Sequence, residues 1–167
     1  MHRTTGIVAA ALAALALSFG TGVVAQTDTG RQASSDLALI EQCIALAKGD
    51  AGGSACIGRV SKPCIDTPDG SSTMGMNACY SREIAAWDTL LNRIYKDASG
   101  AMDENGSIYL RDTQRLWLSF RQKACEWPAQ VYPNGTIRGP LSGECMQIET
   151  ARRALDLGRI KAALTEQ

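Results

Sequence analysis

Six cysteines, Cys43, Cys56, Cys64, Cys79, Cys125 and Cys145, all follow a single apolar leader, and together they constrain this 167-residue chain more than any other feature. Residues 1–25 carry Arg3, an apolar run from Ile7 to Phe19 and the small residues Val23-Val24-Ala25, the pattern of a secretory signal cut between Ala25 and Gln26. That run is too short to span a bilayer and no second one follows. The first cysteine, Cys43, lies well past the cut, which argues against a lipid anchor on a processed amino terminus. An even cysteine count in an exported chain predicts three disulfides, drawn from fifteen possible pairings. Three cysteines lie at or before Cys64 and three at or after Cys79, so complete pairing forces at least one bridge between the halves and makes them one folding unit. Zinc is a poor alternative, because no C-x2-C pair exists and the sole histidine, His2, leaves with the signal.

Loss of His2 also removes a Ser-His-Asp triad, a Cys-His pair and a histidine general base. The sequence therefore predicts no catalytic residue, no metal site and no cofactor site. Taking Arg3 from the 17 basic residues leaves 16 against 17 acidic, a net charge of −1, which gives no electrostatic case for nucleic acid and little long-range steering toward any partner. Residues 61–104 lean acidic and 105–167 lean basic, a mild asymmetry that fits solvated faces. The 142 residues left by removing 25 from 167 suffice for one domain with a real core.

Residues 26–34 are polar and Gly/Thr/Ser-rich, which predicts a disordered lead before a single domain over 35–167. Ser35 or Asp36 is placed to cap a first helix with the stripe Leu37, Ile40, Ile44 and Ala47, ending at Gly49. Asp50 to Gly75, with Pro63 and Pro68, reads as an irregular loop held by bridges. A second helix is predicted from Met76 to Ala98, a turn over Gly100 to Gly106, and a third helix from Ser107 that stops before Pro128. Its expected inner face is Leu110, Thr113, Trp117, Phe120 and Ala124. Pro133-Asn134-Gly135-Thr136 and Gly139-Pro140 make Tyr132 to Gly143 a rigid surface loop, after which Ser142 caps a fourth helix through Ile148, Leu155 and Ile160. The fold class is all-α: a small bundle of three to four helices around a central antiparallel hairpin, stapled by disulfides.

Two stretches share one helical spacing: Cys79, Glu83, Trp87, Leu91, Tyr95, and Gln114, Trp117, Arg121, Cys125. Folded back on a turn near Glu104, they pair Glu83 with Cys125, Trp87 with Arg121, Leu91 with Trp117 and Tyr95 with Gln114, a shared structural seam. The motif Cys79…Glu83-x3-Trp87-Asp88-x2-Leu91-Asn92-x2-Tyr95, then Gln114-Arg115-x-Trp117-x2-Phe120-Arg121-x3-Cys125, resembles the lysozyme inhibitor LprI-like domain of bacterial secreted proteins. Cys145, Thr150, Arg153 and Leu157 continue the likeness, which covers roughly residues 79–157. One departure is Gln122, where many members carry Asp. The resemblance implies a periplasmic or secreted binder that protects the cell wall by inhibiting lysozyme, with no catalytic group of its own.

Two further readings fit the same residues: an envelope module that binds another protein or a glycan, and a wall-carbohydrate enzyme acting through Glu83. Paired carboxylates can hydrolyse glycosides, but Glu83 and Asp88 are turned by about 140° from each other on one helix and cannot converge. A pairing of Glu83 with Arg121 or Lys123 across helices is the simpler expectation, with Asp88 solvated or capping. Binding candidates come from the loops. Tyr132 and Arg138 are an aromatic and a guanidinium on a rigid segment, good anchors for a protein partner, while Trp127 either joins them or closes the bundle end. Ser72 and Thr73 offer hydroxyls, with helix capping as the competing use. Helix ends at Cys125 and Cys145 favour a bridge between them, clamping the intervening loop.

Overall fold

In a computed structural model, which describes the backbone of residues 22–47 and 53–166 and side chains from Asp28 onward, every regular element is helical. The order is α1 (Gly22–Leu46), a 3₁₀ turn (Gly53–Cys56), α2 (Ser61–Ile65), α3 (Thr73–Ala101), α4 (Glu104–Ala124), α5 (Trp127–Val131) and α6 (Arg138–Thr165). The leader up to residue 21, and the expected helix end at Gly49, lie outside the described residues. No helix among the described residues is long and apolar enough to cross a membrane.

Side-chain caps set the starts of α3 and α4. Ser72 Oγ accepts from Gly75 N at 3.0 Å and starts α3, and Asp103 Oδ1 accepts from Gly106 N at 2.7 Å and starts α4. Both helices extend past their expected ends, so the hairpin turn is Met102–Asp103 alone and not Gly100 to Gly106. Glu104 in the first turn and Arg121 with Lys123 in the last complement the α4 dipole. Pro63 does not block helix, because it lies in the first turns of α2, where a proline nitrogen has no hydrogen bond to lose.

Three other expectations are corrected. Residues 26–34 are helical, continuous with α1 and supported by local bonds such as Arg31 to Asp28. Asp36 is not a cap: it is buried inside α1 and receives both Arg82 Nε (3.0 Å) and Nη2 (2.8 Å) from α3, with Gln32 Nε2 at 3.0 Å. Helix α6 opens at Arg138, so only a short turn separates it from α5, and Ser142 Oγ instead donates to Cys125 O at 3.0 Å.

The core lies mainly between α3 and α6, with α1 across α3, and α4 touches both along one edge. Helix α3 contributes Ala86, Trp87, Leu90 and Leu91, and α6 contributes Ala151, Ala154 and Leu157, all buried. The alanines let the two backbones approach, and the large α3 side chains fill the gap. Burial of each large apolar side chain in this layer stabilises the fold by about 1.5–3 kcal/mol. The central seam therefore runs against α6 and not against α4, whose inward positions Gln114 and Arg121 are long and polar. Leu110 is the one buried residue of α4, while Phe120, expected inside, is exposed.

Three bridges staple the bundle: Cys43–Cys56, Cys64–Cys79 and Cys125–Cys145, with no free cysteine. The second joins the two halves, as the count requires, and the third closes the α4–α6 connection.

Candidate functional site

Glu83 is fully buried, and its carboxylate is consumed by the fold. Oε1 accepts from Gly58 N (2.6 Å), Trp87 Nε1 (3.0 Å) and Gln147 Nε2 (3.1 Å), while Oε2 accepts from Val60 N (2.9 Å) and Ser61 N (2.6 Å). Gly58 reaches this geometry with φ of 93°, a conformation that L side chains rarely adopt. The expected partners Arg121 and Lys123 do not approach Glu83. The carboxylate instead clasps the 58–61 segment to α3 and α6, which removes it from any role in hydrolysis. Asp88 accepts from Asn92 Nδ2 at 2.9 Å, a solvated local contact.

The other seam residues gather around Trp117. The Arg121 guanidinium lies 4.8 Å from the indole centroid and Arg153 from α6 lies 6.0 Å from it. Arg121 Nη1 donates to Thr150 Oγ1 at 2.9 Å, and Arg153 Nε to Gln114 Oε1 at 2.8 Å. Burial lowers the Arg153 guanidinium below its ordinary value. This cluster ties α4 to α6 through the family motif's own residues. Tyr95 and Trp117 are half-buried and flank the core.

The stapled corner after α4 presents its side chains outward. Pro128 and Pro140 are buried and seat α5 and the start of α6, while Trp127 and Tyr132 stay 44% and 42% exposed. Arg138 is exposed and donates from Nη1 to Pro133 O at 2.8 Å, and Tyr132 N donates to Pro128 O at 2.8 Å. The Cys125–Cys145 bridge ties the two ends of this segment together. Gly143 packs against the Tyr80 ring, whose phenol is raised above its ordinary value by burial and then by Glu144. Ser72 is used by the α3 cap, and Thr73 is the first residue of that helix. The first turns of that helix pack against the start of α6, with Asn77 beside Gly139 and Tyr80 beside Gly143.

A groove of about 770 Å³ between α1, α3 and α6 has Ile44, Leu90, Ile94 and Leu155 among its lining. Glu41 and Arg93, which pair with each other, and Lys161, which pairs with Asp97, also line it. Among the described residues, no group of His, Cys, Asp or Glu is arranged to hold a metal ion.

The sequence reading missed the outer surface of α4, where Tyr109 and Leu116 are 72% and 73% exposed and Phe120 is 57% exposed. Their spacing of seven and four residues was visible as a second apolar stripe beside the Trp117 face. A model of the family described as lysozyme inhibitor LprI matches residues 64–157. No curated protein and no solved structure matches the chain.

Proposed function

We propose, from the premise that this chain belongs to the lysozyme inhibitor LprI family, that it is an exported, non-catalytic binding module that blocks a cell-wall-degrading glycosidase. The observation that carries the reading is the family match over 64–157, which contains the α3–α6 core, two of the three bridges and the stapled corner. Three disulfides and the apolar leader support an oxidising, extracytoplasmic address.

Inhibition of this kind asks for no reactive group. A rigid projection that fills a sugar-binding cleft excludes the polysaccharide, and rigidity reduces the entropy lost on binding. In this reading Tyr132 and Arg138 are the anchors, with Trp127 beside them: an aromatic pair and a guanidinium on a turn pinned by a bridge and two buried prolines. Ser72 and Thr73 are weaker contacts, engaged already in starting α3.

Turbidity of a purified cell-wall suspension tests the reading in both directions. The protein alone leaves the suspension turbid, and added to lysozyme it slows clearing in proportion to its concentration. Clearing by the protein alone makes it an enzyme. Unchanged lysozyme activity at saturating protein removes the inhibitor reading and leaves an envelope module with another target.

A further inference from the structure

Helix α4 is attached along one edge, and its two free flanks differ in character. At about 100° per residue, Tyr109, Leu116 and Phe120 lie about 100° to one side of the Leu110–Trp117–Arg121 edge, and Arg111 with Arg115 lie about 120° to the other. The first flank is apolar and exposed. Along the second, one carboxylate serves two guanidiniums: Asp112 Oδ1 lies 3.0 Å from Arg111 Nε and 3.7 Å from Arg115 Nη1, which leaves a positive charge uncompensated. The helix as a whole carries four basic side chains and two acidic ones, in a chain whose basic and acidic totals are equal at 17 each.

Exposed large apolar side chains aligned along one helix flank are the kind of feature that marks an interaction surface. We propose that α4 is the ridge that enters the glycosidase cleft, its Tyr109–Leu116–Phe120 flank against the sugar-binding wall and its Arg111–Arg115 flank toward the catalytic carboxylates. The occupant is argued from charge and shape. A glycosidase cleft is concave and carries a pair of Asp or Glu residues across the scissile bond, so it complements a convex helix with a cationic flank. The charge acts at short range in the docked complex, which is compatible with a near-zero net charge. This inference rests on the proposed function and adds to the stapled corner, which follows α4 directly in the chain.

The test compares inhibition of lysozyme by the full exported protein and by L116D, by the charge-reversed R111E/R115E and by Y132A, with circular dichroism and thermal melting as folding controls. All the altered side chains are exposed, so the melts should stay close to wild type. The expected result is a loss of inhibition of tenfold or more for L116D and for R111E/R115E. Wild-type inhibition with both α4 variants within twofold of it would overturn the ridge and leave the inhibitor reading intact. Absence of inhibition by the wild-type protein would remove both. Sedimentation gives the remaining outcome: a wild-type dimer that L116D converts to monomer would show that a second copy covers the stripe, and would likewise overturn the proposal.

Discussion

Replacing Glu83 by Gln changes one atom and should be among the most damaging substitutions in the chain. The amide oxygen can keep Gly58 N, Trp87 Nε1 and Gln147 Nε2, but the amide nitrogen then faces Val60 N and Ser61 N, two donors with no acceptor. The reverse orientation is worse, since it sets the nitrogen against three donors. Hydrogen bonds to a charged acceptor contribute about 1.5–3 kcal/mol each, so losing two costs about 3–6 kcal/mol. That is a large part of the roughly 5–15 kcal/mol that holds an ordinary domain together. Urea unfolding of the oxidised protein, followed by tryptophan fluorescence, measures it directly, because Trp87 is itself a donor to the carboxylate. E83A should lose at least as much. A midpoint shift for E83Q equivalent to less than about 1 kcal/mol would refute the reasoning, since it would mean that the buried amides do not depend on the carboxylate.

Alanine at the three tryptophans should rank Trp87 first, at about 3–5 kcal/mol for a fully buried large aromatic, then half-buried Trp117, then Trp127; equal midpoint shifts in urea would contradict the burial. Removing the Cys125–Cys145 bridge by a double serine replacement should cost about 3 kcal/mol for a loop of this length, and intact-mass analysis of wild type alkylated without reduction should give no added mass. Because the folded Tyr80 phenol is raised above 10.0, its contribution to stability is complete below the unfolded value and is lost as pH rises through the folded value. Ultraviolet titration of phenolate, taken as the difference between wild type and Y80F, should move down in E144Q; no movement would exclude the Glu144 contribution.

What could be read from sequence, and what could not, divides along physical lines. Helical spacing revealed α3 and α4, and the positions of Cys125 and Cys145 at helix ends pointed to their bridge, because these signals are local. The partner of α3 is α6 and not α4, a pairing with little sequence signal because Ala151 and Ala154 enable close packing but give a weak apolar period. Adjacent helices joined by a short turn suggested themselves as the core pair, and the longer connection won. The Glu83 environment was hidden for a different reason: three of its five donors are main-chain N–H groups, which leave no side-chain signature apart from Gly58. Asp36 departs from expectation because a polar residue near a helix start ordinarily caps, whereas here the helix begins earlier and Arg82 reaches it from α3. Loops draw the binding candidates because helical periodicity ends there, whereas the exposed faces of α4 share the periodicity of its core-facing edge.

The clasp on Glu83 has a consequence for how the cysteines find their partners. Gly58 to Ser61 lies between Cys56 and Cys64, close neighbours in the chain that must pair with different cysteines, Cys43 on α1 and Cys79 on α3. Seating those amides on the carboxylate turns the thiol before the segment toward α1 and the one after it toward α3. We expect this non-covalent contact to form before oxidation and to select among the competing cross-links. Without the carboxylate, that sorting falls to chance encounter, and oxidative refolding should accumulate scrambled isomers even where the final native form remains attainable.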